Sequence, residues 1–165
     1  MAERAPRPLI IVGAAKVDSV LFQILNSHLF PKQARAGEQD ELLEGDRPLS
    51  TFSARIKMCY RLGLLDATLY RCLEAVRSLR NPSAHALAFD INRSPTREKL
   101  ADLRRGVVNR NSFSLTRQRY FDSGELKKVE ELQCILLTVC VLLEAISEKV
   151  PVTKGSLSAR NIAAR

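Results

Sequence analysis

A single all-α domain of about five helices is the fold this sequence predicts, and three observations predict it. Apolar residues recur at steps of three and four along most of the chain, punctuated by helix caps and stops. Leu, Ala and Arg dominate, while aromatics make up 5% and Trp is absent. Gly and Pro number only seven each, too few for a low-complexity or collagen-like chain. With 165 residues, 45% of them apolar, the chain can bury a core without disulfides.

The first helix is expected from Pro8 to Phe30, with Ile11, Val17, Val20, Leu21, Ile24 and Leu25 inward and Pro31 as its stop. Residues 32–48 read as a polar, acidic connection carrying Glu38, Asp40, Glu41, Glu44 and Asp46, with one helical turn at Leu42-Leu43. Ser50 or Thr51 caps a second helix that turns Phe52, Ile56, Cys59 and Leu62 inward and ends at Gly63. Asp66 caps a third, with Leu69, Leu73, Val76 and Leu79 inward, and Asn81-Pro82 is expected to disturb it.

Ser94-Pro95 reads as a cap and an N1 proline, opening a helix to about Arg105 with Leu100 and Leu103 inward. Residues 106–121 suit a short hairpin or irregular loop through Val107-Val108 and Phe113-Ser114-Leu115. Asp122 with Glu125 forms a capping box for the longest helix, running to about Lys149. Its inward set is Leu126, Val129, Leu132, Leu136, Val139, Cys140, Leu143 and Ile146, and it is expected to be central. Residues 1–150 form the predicted helical domain and 151–165 a flexible basic tail.

The function classes narrow by exclusion. No Gly-rich phosphate loop, G-x-S-x-G elbow or H-E-x-x-H is present, and two histidines leave few proton shuttles. Cys59, Cys72, Cys134 and Cys140 lack C-x-x-C spacing, so buried free thiols in a reducing compartment are expected, with no metal and no cofactor. The apolar stretch at residues 9–12 is short, and Lys16 and Asp18 interrupt the pattern that follows. The run Cys134–Leu143 is about half of the ~20 residues a membrane helix needs. A cytoplasmic protein with no membrane contact is expected.

The formal charge is +8, which favours polyanionic partners. Eight cations lie between residues 93 and 119: Arg93, Arg97, Lys99, Arg104, Arg105, Arg110, Arg117 and Arg119. Against Glu98 and Asp102 they leave a net +6, and Phe113 and Tyr120 lie among them. This segment is the candidate RNA- or DNA-binding surface, by phosphate contact with some stacking; the alternative is a solvated helix face.

The sharpest local element is Arg80-Asn81-Pro82-Ser83-Ala84-His85. An arginine, an adjacent polar residue and a histidine can cleave RNA without metal, the imidazole moving protons while the guanidinium clamps the phosphate. In this the sequence resembles the HEPN superfamily of helical bundles, whose nuclease members carry R-x4–6-H. The resemblance implies catalytic roles for His85, Arg80 and Asn81 at a dimer interface. On an unbroken helix a five-residue step turns about 500°, leaving Arg80 and His85 about 140° apart. They converge only if Pro82 breaks the helix or a second protomer supplies one of them. Otherwise Asn81 and His85 cap a helix end.

A second resemblance covers more of the chain. Gly13-Ala14-Ala15 with Val17-Asp18-Ser19, then Pro48-Leu49-Ser50-Thr51-Phe52-Ser53-Ala54-Arg55-Ile56-Lys57 and Tyr60-Arg61-Leu62-Gly63-Leu64 through to Leu79-Arg80-Asn81, resemble the mannitol operon repressor family. That resemblance spans about residues 10–30 and 47–105 and implies a compact helical transcriptional regulator, with the family's Lys/Arg-Asn element on Arg80-Asn81. A helix-turn-helix aligned on Gly63 would present Asp66, Thr68, Tyr70, Arg71 and Glu74 to DNA, a near-neutral set, and two antiparallel bundle helices joined by a glycine turn explain the same residues more simply. The expected function is a non-enzymatic, repressor-like regulator acting through a protein partner, as a homodimer. The alternative is a metal-independent endoribonuclease, and direct DNA reading comes third.

Overall fold

A computed structural model describes residues 6–29, 37, 39–85, 90, 92, 94–121 and 124–149, apart from the side chains of Pro82, Ala84 and His85. The protein is all-α. Its helices are α1 (Pro6–His28), α2 (Phe52–Arg61), α3 (Ala67–His85), α4 (Thr96–Val107), α5 (Asn111–Tyr120) and α6 (Lys128–Lys149), six among the described residues against the five or so expected. Phe30 and Pro31, the Asp122 cap and the tail at 151–165 lie outside the described residues.

The core is built around α1, which packs on α2, α3 and α6; α3 also packs on α2 and α4, and α6 on α4 and α5. Val17, Val20, Leu21, Ile24 and Leu25 of α1 are buried, as are Leu69, Leu73, Val76 and Leu79 of α3 and Leu132, Val139 and Leu143 of α6. The inward face of α1 is rotated slightly from expectation, since Ile10 and Ala14 are buried and Ile11 only half-buried. Leu62 lies at the surface, and Phe52, Leu100, Leu126, Val129 and Ile146 are half-buried. By length and composition α1 is apolar enough to cross a membrane, with mean hydropathy 1.7 over its best window, yet its inner face lies in this core.

The caps explain most boundaries. Thr51 Oγ1 accepts the Ala54 N–H at 3.2 Å and starts α2. Its end is a Schellman motif: Gly63 has φ +73°, the Gly63 N–H reaches the Tyr60 carbonyl and the Leu64 N–H the Cys59 carbonyl, each at 3.0 Å. Asp66 Oδ1 accepts the Leu69 N–H at 2.7 Å and opens α3. In the acidic connection, Asp40 Oδ1 accepts the Leu42 and Leu43 N–H groups and the Glu44 N–H reaches the Asp40 carbonyl, making the single turn that sinks Leu43 into the core.

Three boundaries differ from the sequence reading. Pro95 is the N-cap of α4 rather than its first residue, and Ser94 Oγ donates to Glu98 Oε1 at 2.6 Å. α6 begins at Lys128, where the Lys127 N–H is met by Glu130 Oε2 at 2.9 Å, so Glu130 does the work expected of Glu125. The segment expected as hairpin or loop contains α5. Only Phe113 and Thr116 of that helix are buried, one turn apart, which is too little periodicity to read, and Leu115 points outward.

Candidate functional site

The candidate catalytic element lies on the last turns of α3. This helix runs through Pro82 to His85 without the expected interruption. A proline inside a helix removes the N–H that would bond the carbonyl four residues back, here that of Ser78. Lys99 of α4 takes over that carbonyl, its Nζ donating at 3.4 Å. Ser83 Oγ donates to the Leu79 carbonyl at 2.8 Å, and Arg7 Nε of α1 donates to the Ser83 carbonyl at 2.6 Å. Carbonyls that the proline and the helix end leave open are thus covered by side chains from neighbouring helices.

Arg80 and Asn81 are exposed. Because α3 is continuous, positions 80 and 85 stand about 140° apart round its axis.

The candidate nucleic-acid residues divide among several faces. Arg93 lies outside the described residues. Lys99 is turned toward α3, as above. Arg105 pairs with Asp102 one turn back on α4. Arg110 joins Asp66 at 3.0 Å and the Gly106 carbonyl at 3.2 Å, tying the start of α5 to the start of α3. Partial burial pushes the Asp66 carboxyl upward, but the Leu69 N–H and the Arg110 guanidinium more than reverse this and hold it below the ordinary carboxylate range. Arg119 lies over the Tyr120 ring at 5.7 Å.

Arg97, Arg104 and Arg117 come together, lining a cleft between α4, α5 and α6. Arg104 Nε meets Glu131 Oε1 at 2.6 Å, and Arg117 Nη2 donates to the Gly124 carbonyl at 2.8 Å. Lys128 and Glu131 share this cleft although they lie beyond the block of cations at 93–119, and only the packing of α6 against α4 and α5 joins them to it.

Asp18 and Arg55 also carry structure that charge counting did not reveal. The Arg55 guanidinium donates to Asp18 Oδ1 (2.8 Å) and to the Leu43 (2.9 Å) and Leu49 (3.0 Å) carbonyls, and lies 5.2 Å from the Phe22 ring centre. Tyr60 and Tyr70 stack across the Gly63 turn, centroids 4.4 Å apart, so a residue offered to DNA in the helix-turn-helix reading instead ties α3 to α2.

All four thiols are buried and free. Burial pushes Cys59 up to about 12 and Cys140 up to about 11, and Cys72 and Cys134 upward as well, so none is a ready nucleophile. Among the described residues no three His, Cys, Asp or Glu side chains group as a metal site. No protein-family model matches this chain, and neither a curated protein nor a solved structure matches it.

Proposed function

We propose that this chain is a non-enzymatic, cytoplasmic regulator of transcription that acts through protein–protein contacts as a homodimer. The observation that supports the reading is the continuity of α3 through Pro82, which leaves positions 80 and 85 about 140° apart round one helix. Its surrounding polar groups, Lys99, Ser83 and Arg7, are engaged in holding helices together. The two stretches that resemble the mannitol operon repressor family meet at the Asp18–Arg55 ion pair. The pairing face is the outer side of α1 and α6. Val12 is 67% exposed and Val141 42%, and each lies one turn before a member of the surface ion pair Lys16–Glu144. A patch holding one cation and one anion beside apolar side chains can be its own complement across a two-fold axis.

The test combines mass and activity. Light scattering at tens of micromolar is expected to give a dimer, with Val12→Glu giving a monomer. Labelled single-stranded RNA in EDTA is expected to stay intact. Cleavage that disappears in His85→Ala would overturn the regulator reading in favour of the ribonuclease, which requires two chains to pair at the end of α3.

A further inference from the structure

The cleft between α4, α5 and α6 consists of two adjoining cavities. One, of about 190 Å³, lies between α4 and α6. Arg97, Leu100, Ala101 and Arg104 line it from α4, and Lys128, Glu131, Leu132 and Ile135 from α6. Both sets follow the i, i+3, i+4, i+7 rule, so each helix turns a full stripe toward open space. The other cavity, of about 360 Å³, continues toward α5 with Val108, Phe113 and Leu126 in its wall. Arg104 and Glu131 line both, and their ion pair marks the boundary between them.

We propose that this groove receives an acidic amphipathic helix from a partner protein, lying along α4 with an apolar side chain in the smaller, apolar cavity and its acidic flank over the larger one, whose wall holds Arg104 and Arg117. Three features select this occupant. From Arg97 to Val108, the C-cap of α4, the lining spans twelve residues, about 16 Å or three helical turns, the length of a short docked helix. The two cavities flank a central ion pair, so a compact ligand would fill one of them, whereas side chains one or two turns apart on a helix reach both. The lining carries Arg97, Arg104, Arg117 and Lys128 against Glu125 and Glu131, and Glu131 is already matched by Arg104. That surplus fits carboxylates on the flanks of the docked helix. A phosphate backbone would use the cations but leave the apolar cavity between α4 and α6 empty, and Phe113, 7% exposed, is a wall rather than a stacking platform.

The proposal rests on reading the chain as a partner-binding regulator and names the chemistry of the partner. Its test is selection from a displayed library of random 16-residue peptides against the full chain, followed by fluorescence anisotropy with the selected peptides. The control variants are Ala101→Trp, which plugs the smaller cavity from an exposed position, and Arg97→Glu, which removes surface charge; melting curves verify that both fold. Enriched peptides are expected to be acidic, with apolar residues three or four apart, and to bind each variant at least tenfold more weakly. Peptides that bind Ala101→Trp as well as the wild type overturn the proposal. So does tight binding of an oligouridine that weakens in Arg97→Glu while no acidic peptide is enriched. RNA cleavage in EDTA would sink the regulator reading by itself, without touching these anisotropy results.

Discussion

At Gly106 α4 packs against Cys72 of α3, and replacing the glycine by alanine tests that contact directly. A Cβ at this position would lie 2.0 Å from Cys72 Sγ, whereas its next neighbours, Thr68 Cγ2 at 3.7 Å and Cys72 Cβ at 3.8 Å, are at ordinary contact distance. The conflict is therefore with one atom. In an unconstrained helix Gly→Ala would add about 1 kcal/mol of stability. Here the overlap forces a buried thiol or a whole helix to move, at a cost of about 1–3 kcal/mol or more, and Gly106→Ala is expected to lose about 2 kcal/mol net. Cys72→Ala alone leaves a sulfur-sized void and loses about 1–1.5 kcal/mol. The double variant fills that void with the new methyl and recovers the helix propensity, so its stability should return to within about 1 kcal/mol of wild type. The coupling energy is then about 2–3 kcal/mol, well outside the ~0.5 kcal/mol scatter of independent sites. Urea unfolding followed by circular dichroism on the four proteins measures it. Losses that simply add would refute the close approach of α3 and α4 at this pair.

Arg55→Ala should destabilise by about 2–3 kcal/mol, since it leaves the partly exposed Asp18 and two carbonyls without their shared donor, while Arg55→Lys should recover less than half of that because one ammonium cannot span the fork; equal stability of the two variants in urea would contradict that role of the guanidinium. Raised thiol pKa values favour the folded state below the ordinary thiol range and lose that contribution as pH climbs toward the folded values of about 12 for Cys59 and 11 for Cys140. The urea midpoint should consequently fall above about pH 9, and less so in Cys59→Ala. Native protein should react with no thiol reagent at neutral pH, and the denatured chain with all four cysteines. Lys99→Met should cost about 1 kcal/mol and reduce amide-exchange protection in the last turns of α3, with little effect on α6.

Long, strongly periodic helices were legible from sequence because burial enforces a stripe. Leu69, Leu73, Val76 and Leu79 are all inside, and so are Val17, Val20, Leu21, Ile24 and Leu25. Thr51, Gly63 and Asp66 were legible too, as each satisfies a local backbone requirement. What failed depends on distant residues. Proline normally ends a helix, and α3 continues through Pro82 where Lys99, seventeen positions later, covers the freed carbonyl. α5 was invisible because two buried residues make no stripe. The cations of 93–119 form one block in the sequence, but helical geometry sends Lys99 and Arg110 to α3 and only Arg97, Arg104 and Arg117 to the cleft.

The pairing of α1 with α6 has a consequence for how the chain matures. These helices touch along their apolar faces, Gly13 lying against Leu136, yet one is made early and the other late in synthesis. From His28 to Lys149 the ribosome needs about 6–24 s at roughly 5–20 residues per second. Until α6 emerges, Val17, Val20, Leu21 and Ile24 have at most α2 and α3 for cover and lack their closing partner. Nascent chains arrested before α6 should therefore stay bound to holdase chaperones and be cut readily by protease, and release should coincide with emergence of the last helix rather than accumulate gradually with length.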